Sequence, residues 1–367
     1  MKKKRRTTVF VLLLFSFSQS ILWFSNSSLS QFSLSQHSSF SHLQPYFILH
    51  VGPPKTATTT LQCGLCRLNL TQDGYQYLGK PCGDCVGKAF LKAHGLFYEL
   101  SQQQQQEGPV LQELRRRLKY YHRLYQSVIV SAENLWQLGD QGVKRLKLLL
   151  QDQWRVVVVI SYRRYFEHLV SLYYQQHAKN KTASLVEYLA GHVPNATHPT
   201  LTAWQTFAPH VSVVLFPLQG NVVSNFVCQI LPTAVHACHD LKRHNYSSST
   251  LRVSNALTFD AAKLAQAIRR KFPNRTVRDD VATRMLEKAW KNNYTAFLSC
   301  FPTPHRLLNL STHFEQQLMK RTNLNLSSTV QKDFEVALQR NKFCELDTHK
   351  LLTHPNAATF RKLWNVH

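Results

Sequence analysis

The sequence predicts a doubly wound α/β fold: a central parallel sheet with helices on both faces, followed by a helical C-terminal part. Three observations predict it. Four short runs of β-branched and aliphatic residues recur along the chain, and three of them are continuous, as parallel strands covered on both faces require. Segments with helical spacing separate these runs, so the order reads strand, helix, strand, helix. The length of 367 residues and a hydrophobic content of 44% suffice for one large core. In such folds ligands gather at the carboxyl ends of the strands.

The first strand is expected at 46–51 and runs straight into Gly52-Pro53-Pro54-Lys55-Thr56-Ala57-Thr58-Thr59-Thr60. A strand, a tight turn, a lysine and a hydroxyl-rich helix start make a phosphate cradle. Backbone N–H groups at the helix start point at an anion, and the lysine adds a full charge. No second glycine precedes Lys55, so this is not a Walker A loop. Gln102 to Gln106 reads as a loop or helix tip. A helix follows over 109–125, with Leu111, Leu114, Leu118, Tyr121 and Tyr125 on one face. Strands are expected at 128–131, 154–160 and 211–216, and helices at 140–152 and 163–178. Beyond about residue 250, helices are expected at 257–272 and 277–292 and no further strand.

The N-terminal segments divide by composition. Residues 1–6 form a basic tail, and 7–24 are uncharged and just long enough to span a bilayer as a signal anchor. A cleaved signal peptide is the alternative. Residues 25–45 are serine-rich and read as a flexible stem, and 46–367 hold the folded domain. The basic flank stays on the cytoplasmic side, which sends the domain to the lumen. Nine Asn-x-Ser/Thr sequons, at Asn26, Asn69, Asn180, Asn195, Asn245, Asn274, Asn293, Asn309 and Asn325, favour the same route.

A second motif lies far from the first. Arg163 stands at the end of the most apolar run, and Ser171 follows eight residues later, two helical turns on. Both side chains can reach one phosphate. Together the two motifs resemble sulfotransferases that use 3′-phosphoadenylyl sulfate (PAPS), of the Golgi-type carbohydrate class. Their 5′-phosphosulfate loop, P-loop-like in form, is usually Pro-Lys-[Ser/Thr]-Gly-Thr-Thr, and their 3′-phosphate element is Arg-x7-Ser after a hydrophobic strand. Here Ala57 replaces the glycine; alanine permits helical dihedrals, so a loop turning helical at this point tolerates it. Tyr165 stands where many members have proline. The resemblance covers roughly 46–230, with Ser131-Ala132-Glu133-Asn134-Leu135 and Trp204-Gln205-Thr206-Phe207 also fitting.

That resemblance implies transfer of a sulfuryl group from PAPS to an acceptor hydroxyl, or an amine, by in-line displacement. Lys55 would stabilise or protonate the bridging oxygen, and Lys55, Thr56, Ala57, Thr58, Thr59 and Thr60 would hold the phosphosulfate. Arg163 and Ser171 would hold the 3′-phosphate. Glu133 is the first choice for the general base, His94 the second, and His168 is read as packing. For Glu133 the competing role is a carboxylate capping a strand–helix turn. No metal is expected.

Lys and Arg number 44 against 20 Asp and Glu, a net charge of +24. Five of these charges sit at Lys2, Lys3, Lys4, Arg5 and Arg6, which leaves +19 for the remainder. Such a surplus suits an anionic glycan or proteoglycan-like acceptor, the lumenal route disfavours nucleic acid, and a basic surface kept for solubility is the plain alternative. Cys63-x2-Cys66 and Cys82-x2-Cys85 have zinc-ribbon spacing, but an oxidising compartment favours disulfides between the two pairs; Cys228 and Cys238 are near enough in sequence for another bridge, which leaves Cys300 with Cys344, and the spacing leaves the pairing open. The resulting expectation is a single-pass Golgi membrane enzyme. Its competitors are a lumenal glycan- or nucleotide-binding protein without turnover, and a P-loop kinase or hydrolase, which the missing Walker A loop disfavours.

Overall fold

Runs of valine, isoleucine and leucine have no polar face to offer solvent, so they enter the sheet where helices cover both sides. The computed structural model describes residues 44–79, 93–102, 106–180, 183–194, 196–218, 220–244, 264–268, 270, 294–322 and 329–353. They all belong to one compact unit spanning 40–367. Its sheet contains β1 (Tyr46–Val51), β2 (Tyr75–Tyr77), β3 (Ser127–Ala132), β4 (Arg155–Tyr162) and β5 (Ser212–Pro217). The order is β2-β3-β1-β4-β5 and every pairing is parallel. β1 therefore lies between β3 and β4, and the chain leaves it toward opposite sides of the sheet. The carboxyl end of β1 is the switch point at which a crevice forms.

Helices cover both faces. On one side α1 (Thr58–Arg67), α8 (Val222–Ile230) and α9 (Val235–Arg243) bury Leu61, Phe226 and Leu241 against Ile48, Ile129 and Val159. On the other side lie α2 (Ala93–Ser101), α3 (Pro109–Arg123), α4 (Asp140–Leu150), α5 (Tyr165–Asn180), α6 (Leu185–His192) and α7 (Pro199–Phe207), packed on Leu49, Val130 and Ile160. Odd and even residues of each strand thus enter different cores. The expected strands and helices of this region are present to within two residues, and β2, only three residues long, and the helices α2 and α6 to α9 are additions.

Beyond residue 250 the described chain is mainly helical, with α10 (His305–Met319), α11 (Val330–Gln339) and α12 (Thr348–Thr353). One correction applies. β6 (Leu298–Cys300) and β7 (Cys344–Leu346) form an antiparallel pair where no strand was expected. Each has three residues, too few for a periodic signal, and the Cys300–Cys344 disulfide holds them together. The helix at 277–292 lies outside the described residues, as does most of 257–272, of which 264–268 are helical.

Cys228 and Cys238 form a second disulfide, and no described cysteine is free. Cys63 and Cys66, on α1, are also disulfide-bonded, which takes their thiolates away from any zinc ion. Cys82 and Cys85 lie outside the described residues, as do the basic tail, the expected anchor at 7–24 and nearly all of the stem. Among the described residues no helix is long and apolar enough to cross a membrane.

Candidate functional site

The loop after β1 closes on itself through its own side chains. The Thr56 N–H and hydroxyl both donate to the Pro53 carbonyl, at 3.2 and 2.6 Å. The turn folds back over Gly52 so closely that a Cβ there would lie 2.1 Å from Thr58 Oγ1. Glycine is needed at 52 for that close approach. α1 then starts with Leu61 N–H donating to Ala57 O at 3.0 Å, which leaves the N–H groups of Thr58, Thr59 and Thr60 unbonded to backbone among the described residues. Its first turn carries no acidic residue, so none of its own side chains repels an anion placed there.

The dihedrals of this loop correct one expectation. Ala57 is not helical; it adopts φ 55° and ψ 22°, and Lys55 has φ 65°. Both lie in the left-handed region that glycine enters freely and an L side chain enters at a cost of about 1–2 kcal/mol. Alanine is tolerated because the surrounding turn imposes the conformation, not because the position is helical. We therefore expect Ala57→Gly to stabilise the protein by about 0.5–1 kcal/mol, the relief of strain being offset in part by the greater freedom of the unfolded chain. A urea midpoint that falls instead would show that the loop bears no strain at 57.

Arg163 reaches the loop from the end of β4. Its Nη1 donates to the Lys55 carbonyl at 2.9 Å and to Ser171 Oγ, one turn up α5 from Glu167, at 2.7 Å. Its Nε faces Glu167 at 3.5 Å, and Glu167 in turn accepts from Lys342 Nζ at 2.6 Å. Nη2 is left without a hydrogen bond among the described residues. Burial holds the Lys55 ammonium below the ordinary lysine range, the Glu133 charge pulls it back up, and Arg163 lowers it further. Lys55, Glu133, Arg163 and Ser171 thus share one crevice across the ends of β1, β3 and β4.

Beneath this crevice runs a polar layer in an otherwise apolar sheet. His50 is fully buried, with Nδ1 2.8 Å from Ser131 Oγ and Nε2 2.7 Å from Ser161 Oγ. Gln62, from α1, donates to the Ser131 carbonyl at 3.3 Å. His50, Ser131 and Ser161 each stand two residues before a site residue, namely Gly52, Glu133 and Arg163. The layer therefore ties together the three strand ends that deliver the site. Burial holds His50 down to about 3, so the ring stays neutral and bridges two hydroxyls.

A further histidine fixes the arginine turn. Thr200 N–H donates to His198 Nδ1 at 3.2 Å, so the neutral ring carries its proton on Nε2 and donates it to the Arg163 carbonyl at 3.1 Å. Burial lowers His198 to about 4 and His168, stacked beside it at 6.3 Å, to about 3. His168 Nε2 is buried with no hydrogen-bond partner among the described residues.

Arg164, by contrast, turns away from the crevice. Its Nη1 and Nε donate to Glu315 and Asp333, at 2.6 and 2.7 Å, and Nη2 donates to Thr329. Tyr162 donates its hydroxyl to the same Glu315, which is wholly buried. Burial pushes the Glu315 carboxyl up, against the pull of Arg164. Ser311 Oγ accepts Phe166 N–H at 3.1 Å and Glu345 accepts the Tyr173 hydroxyl at 2.9 Å. The C-terminal helices and β7 are thereby fastened to α5, the helix that carries Ser171.

Of the expected site residues, Lys55, Thr56, Ala57, Thr58, Arg163 and Ser171 meet at the loop. Thr59 is exposed, and the Thr56 hydroxyl is occupied by the turn itself. Glu133 is half-buried, opens a 3-10 turn (Glu133–Gln137) and caps no backbone group, so it is not the capping carboxylate that was its competing role. His94 falls in α2 with its side chain outside the described residues. The sequence reading passed over His50, His198, Arg164, Glu167 and Lys342. A histidine in the middle of an apolar strand was the visible signal for the first; the others depend on contacts between distant segments.

No protein-family model matches the chain, and no curated protein matches it. Among solved structures, a chain from the PezAT chromosomal toxin-antitoxin system of the human pathogen Streptococcus pneumoniae is similar at 12% identity. The match covers 66% of this chain and 98% of that one, with a TM-score of 0.23. A likeness at that score carries no argument about function.

Proposed function

We propose that this chain is a sulfotransferase that moves a sulfuryl group from PAPS to a hydroxyl, or an amine, of a glycan acceptor. The observation that carries the reading is the meeting of Arg163, Ser171 and the Lys55 loop at the switch point, with unbonded N–H groups at the start of α1. An anion cradle next to a second cationic site fits a donor with phosphates at both ends of its ribose. In the transfer, the bond from sulfur to the 5′-phosphate oxygen breaks as the acceptor oxygen bonds to sulfur. The acceptor proton goes to Glu133, which accepts no hydrogen bond among the described residues, and Lys55 neutralises the charge growing on the leaving phosphate. Positioning and charge do the work, as in phosphoryl transfer.

The compartment is part of the proposal: a Golgi membrane protein anchored at 7–24 with its domain in the lumen. Supporting it, the Cys228–Cys238 and Cys300–Cys344 disulfides suit an oxidising lumen. Asn69 and Asn309, the two sequons whose side chains are described, are exposed. The charge of +24 suits an acceptor that already bears acid groups. Ala57 in the left-handed region favours a second reading, a lumenal glycan- or nucleotide-binding protein without turnover.

Labelled PAPS offered with a glycan panel separates the two. We expect transfer by the native chain and its loss by about 10²- to 10³-fold in Lys55→Ala, since charge stabilisation of this kind is commonly the largest single contribution. Donor binding without transfer to any acceptor would favour the binding protein. Preference for ATP over 3′,5′-adenosine bisphosphate would overturn the donor assignment altogether.

A further inference from the structure

The contact between Arg163 and Lys55 runs through backbone, and that distinguishes it from a contact made only to a ligand. Lys55 has φ 65°, which turns its carbonyl toward β4, and Arg163 Nη1 receives it at 2.9 Å. Two residues later Ala57 repeats the left-handed conformation at φ 55°. Two non-glycine residues in that region so close together need external contacts to hold them there. Thr56 supplies one from within the loop, through Pro53. Arg163 supplies the other from a different strand. Its own position is fixed on three sides, by Glu167 at Nε, by Ser171 at Nη1 and by His198 on its carbonyl.

We propose that Arg163 is the strut that holds the phosphosulfate loop in its binding shape, so that the two anionic ends of the donor are read cooperatively through one guanidinium. An anion on the free Nη2 would fix the plane of the guanidinium and so hold Nη1 against Ser171 Oγ and Lys55 O. The loop is then ordered before the 5′ end arrives. The coupling is reciprocal: an occupied loop holds the Lys55 carbonyl still and presents Arg163 to the 3′-phosphate. Lysine cannot replace it, because a single ammonium on a flexible stem lacks the fork that spans a carbonyl, a hydroxyl and a phosphate. This inference rests on the donor assignment above and adds a positioning role that no 3′-phosphate contact by itself requires.

Two adenosine ligands and one measurement without ligand test it. Adenosine 5′-phosphosulfate has no 3′-phosphate, whereas 3′,5′-adenosine bisphosphate has one. With a strut, Arg163→Ala and Arg163→Lys both weaken adenosine 5′-phosphosulfate by about tenfold, the scale of one lost charge-assisted hydrogen bond. Ser171→Ala, which removes a hydroxyl and no loop contact, weakens the bisphosphate more than the phosphosulfate. In the free protein, amide exchange over residues 55–60 speeds up in both Arg163 variants while the strands of the sheet keep their protection, which also shows that the variants are folded. Unchanged affinity for adenosine 5′-phosphosulfate together with unchanged loop exchange would overturn the strut and leave the donor assignment standing. Failure of the native chain to bind either nucleotide would overturn both.

Discussion

Between pH 7 and pH 5 the protein is expected to lose about 6 kcal/mol of stability, enough to unfold a typical domain. Three buried rings are responsible: His50 and His168, each held down to about 3, and His198, held down to about 4. A histidine whose folded value is depressed binds its proton more readily in the unfolded chain, near 6.5. Its contribution is therefore fully present above about pH 6.5 and is lost as pH falls toward 3–4. Each ring yields about 2 kcal/mol by pH 5. His50 gives this effect a functional edge, because it joins β1 to Ser131 and Ser161 directly beneath the site. Urea unfolding at a series of pH values measures the slope. His50→Gln, which is polar and does not titrate, removes about one proton from the uptake on unfolding. A stability that stays level from pH 7 to 5 would mean that the rings are open to protonation in the folded protein.

The second large effect separates two adjacent arginines. Arg164→Met is expected to destabilise by about 3–5 kcal/mol, because it strands a buried carboxylate that has lost its cation. Glu315 is wholly buried, its Oε2 lacks a partner, and among the described residues only the neutral Tyr162 hydroxyl remains on it, with no second cation. Arg163→Met removes contacts on a partly exposed side chain and costs about 1 kcal/mol, while under the proposed function its effect on the affinity for 3′,5′-adenosine bisphosphate is large. The double change Arg164→Met with Glu315→Leu recovers most of the lost stability, since no buried charge is then left unpaired and the Asp333 carboxylate is half-exposed to water. Guanidinium denaturation of the three variants decides the matter. Equal losses from Arg163→Met and Arg164→Met would sink this division of labour between scaffold and site.

The two arginines also show where reading from sequence stops. Arg163 was legible, because strand, arginine and a serine eight residues on are local features. Arg164 stands in the same motif, yet its partners lie 151 and 169 residues away, on α10 and α11. Ala57 illustrates a different limit. Composition and order identify a loop that bends into a helix, but a left-handed φ arises from closure of the whole turn over Gly52. β6 and β7 were missed because three-residue strands have no period to detect, and a disulfide between residues 44 apart brings them together.

Local chemistry written in the chain thus determined the α/β class, strands at 46–51, 128–131, 154–160 and 211–216 that the structure places to within two residues, the loop after the first of them and the Arg163/Ser171 pair. Apolar periodicity and turn residues act over a few neighbours, and a sequence displays them directly. Tertiary structure alone decided the strand order that sets β1 between β3 and β4, the His50 layer under the crevice, the strut from Arg163 to the Lys55 carbonyl and the clamp of Arg164 on the C-terminal helices. These depend on burial and on contacts between segments from 81 to 169 residues apart, and desolvation and hydrogen-bond geometry take their values only once the chain has closed around them.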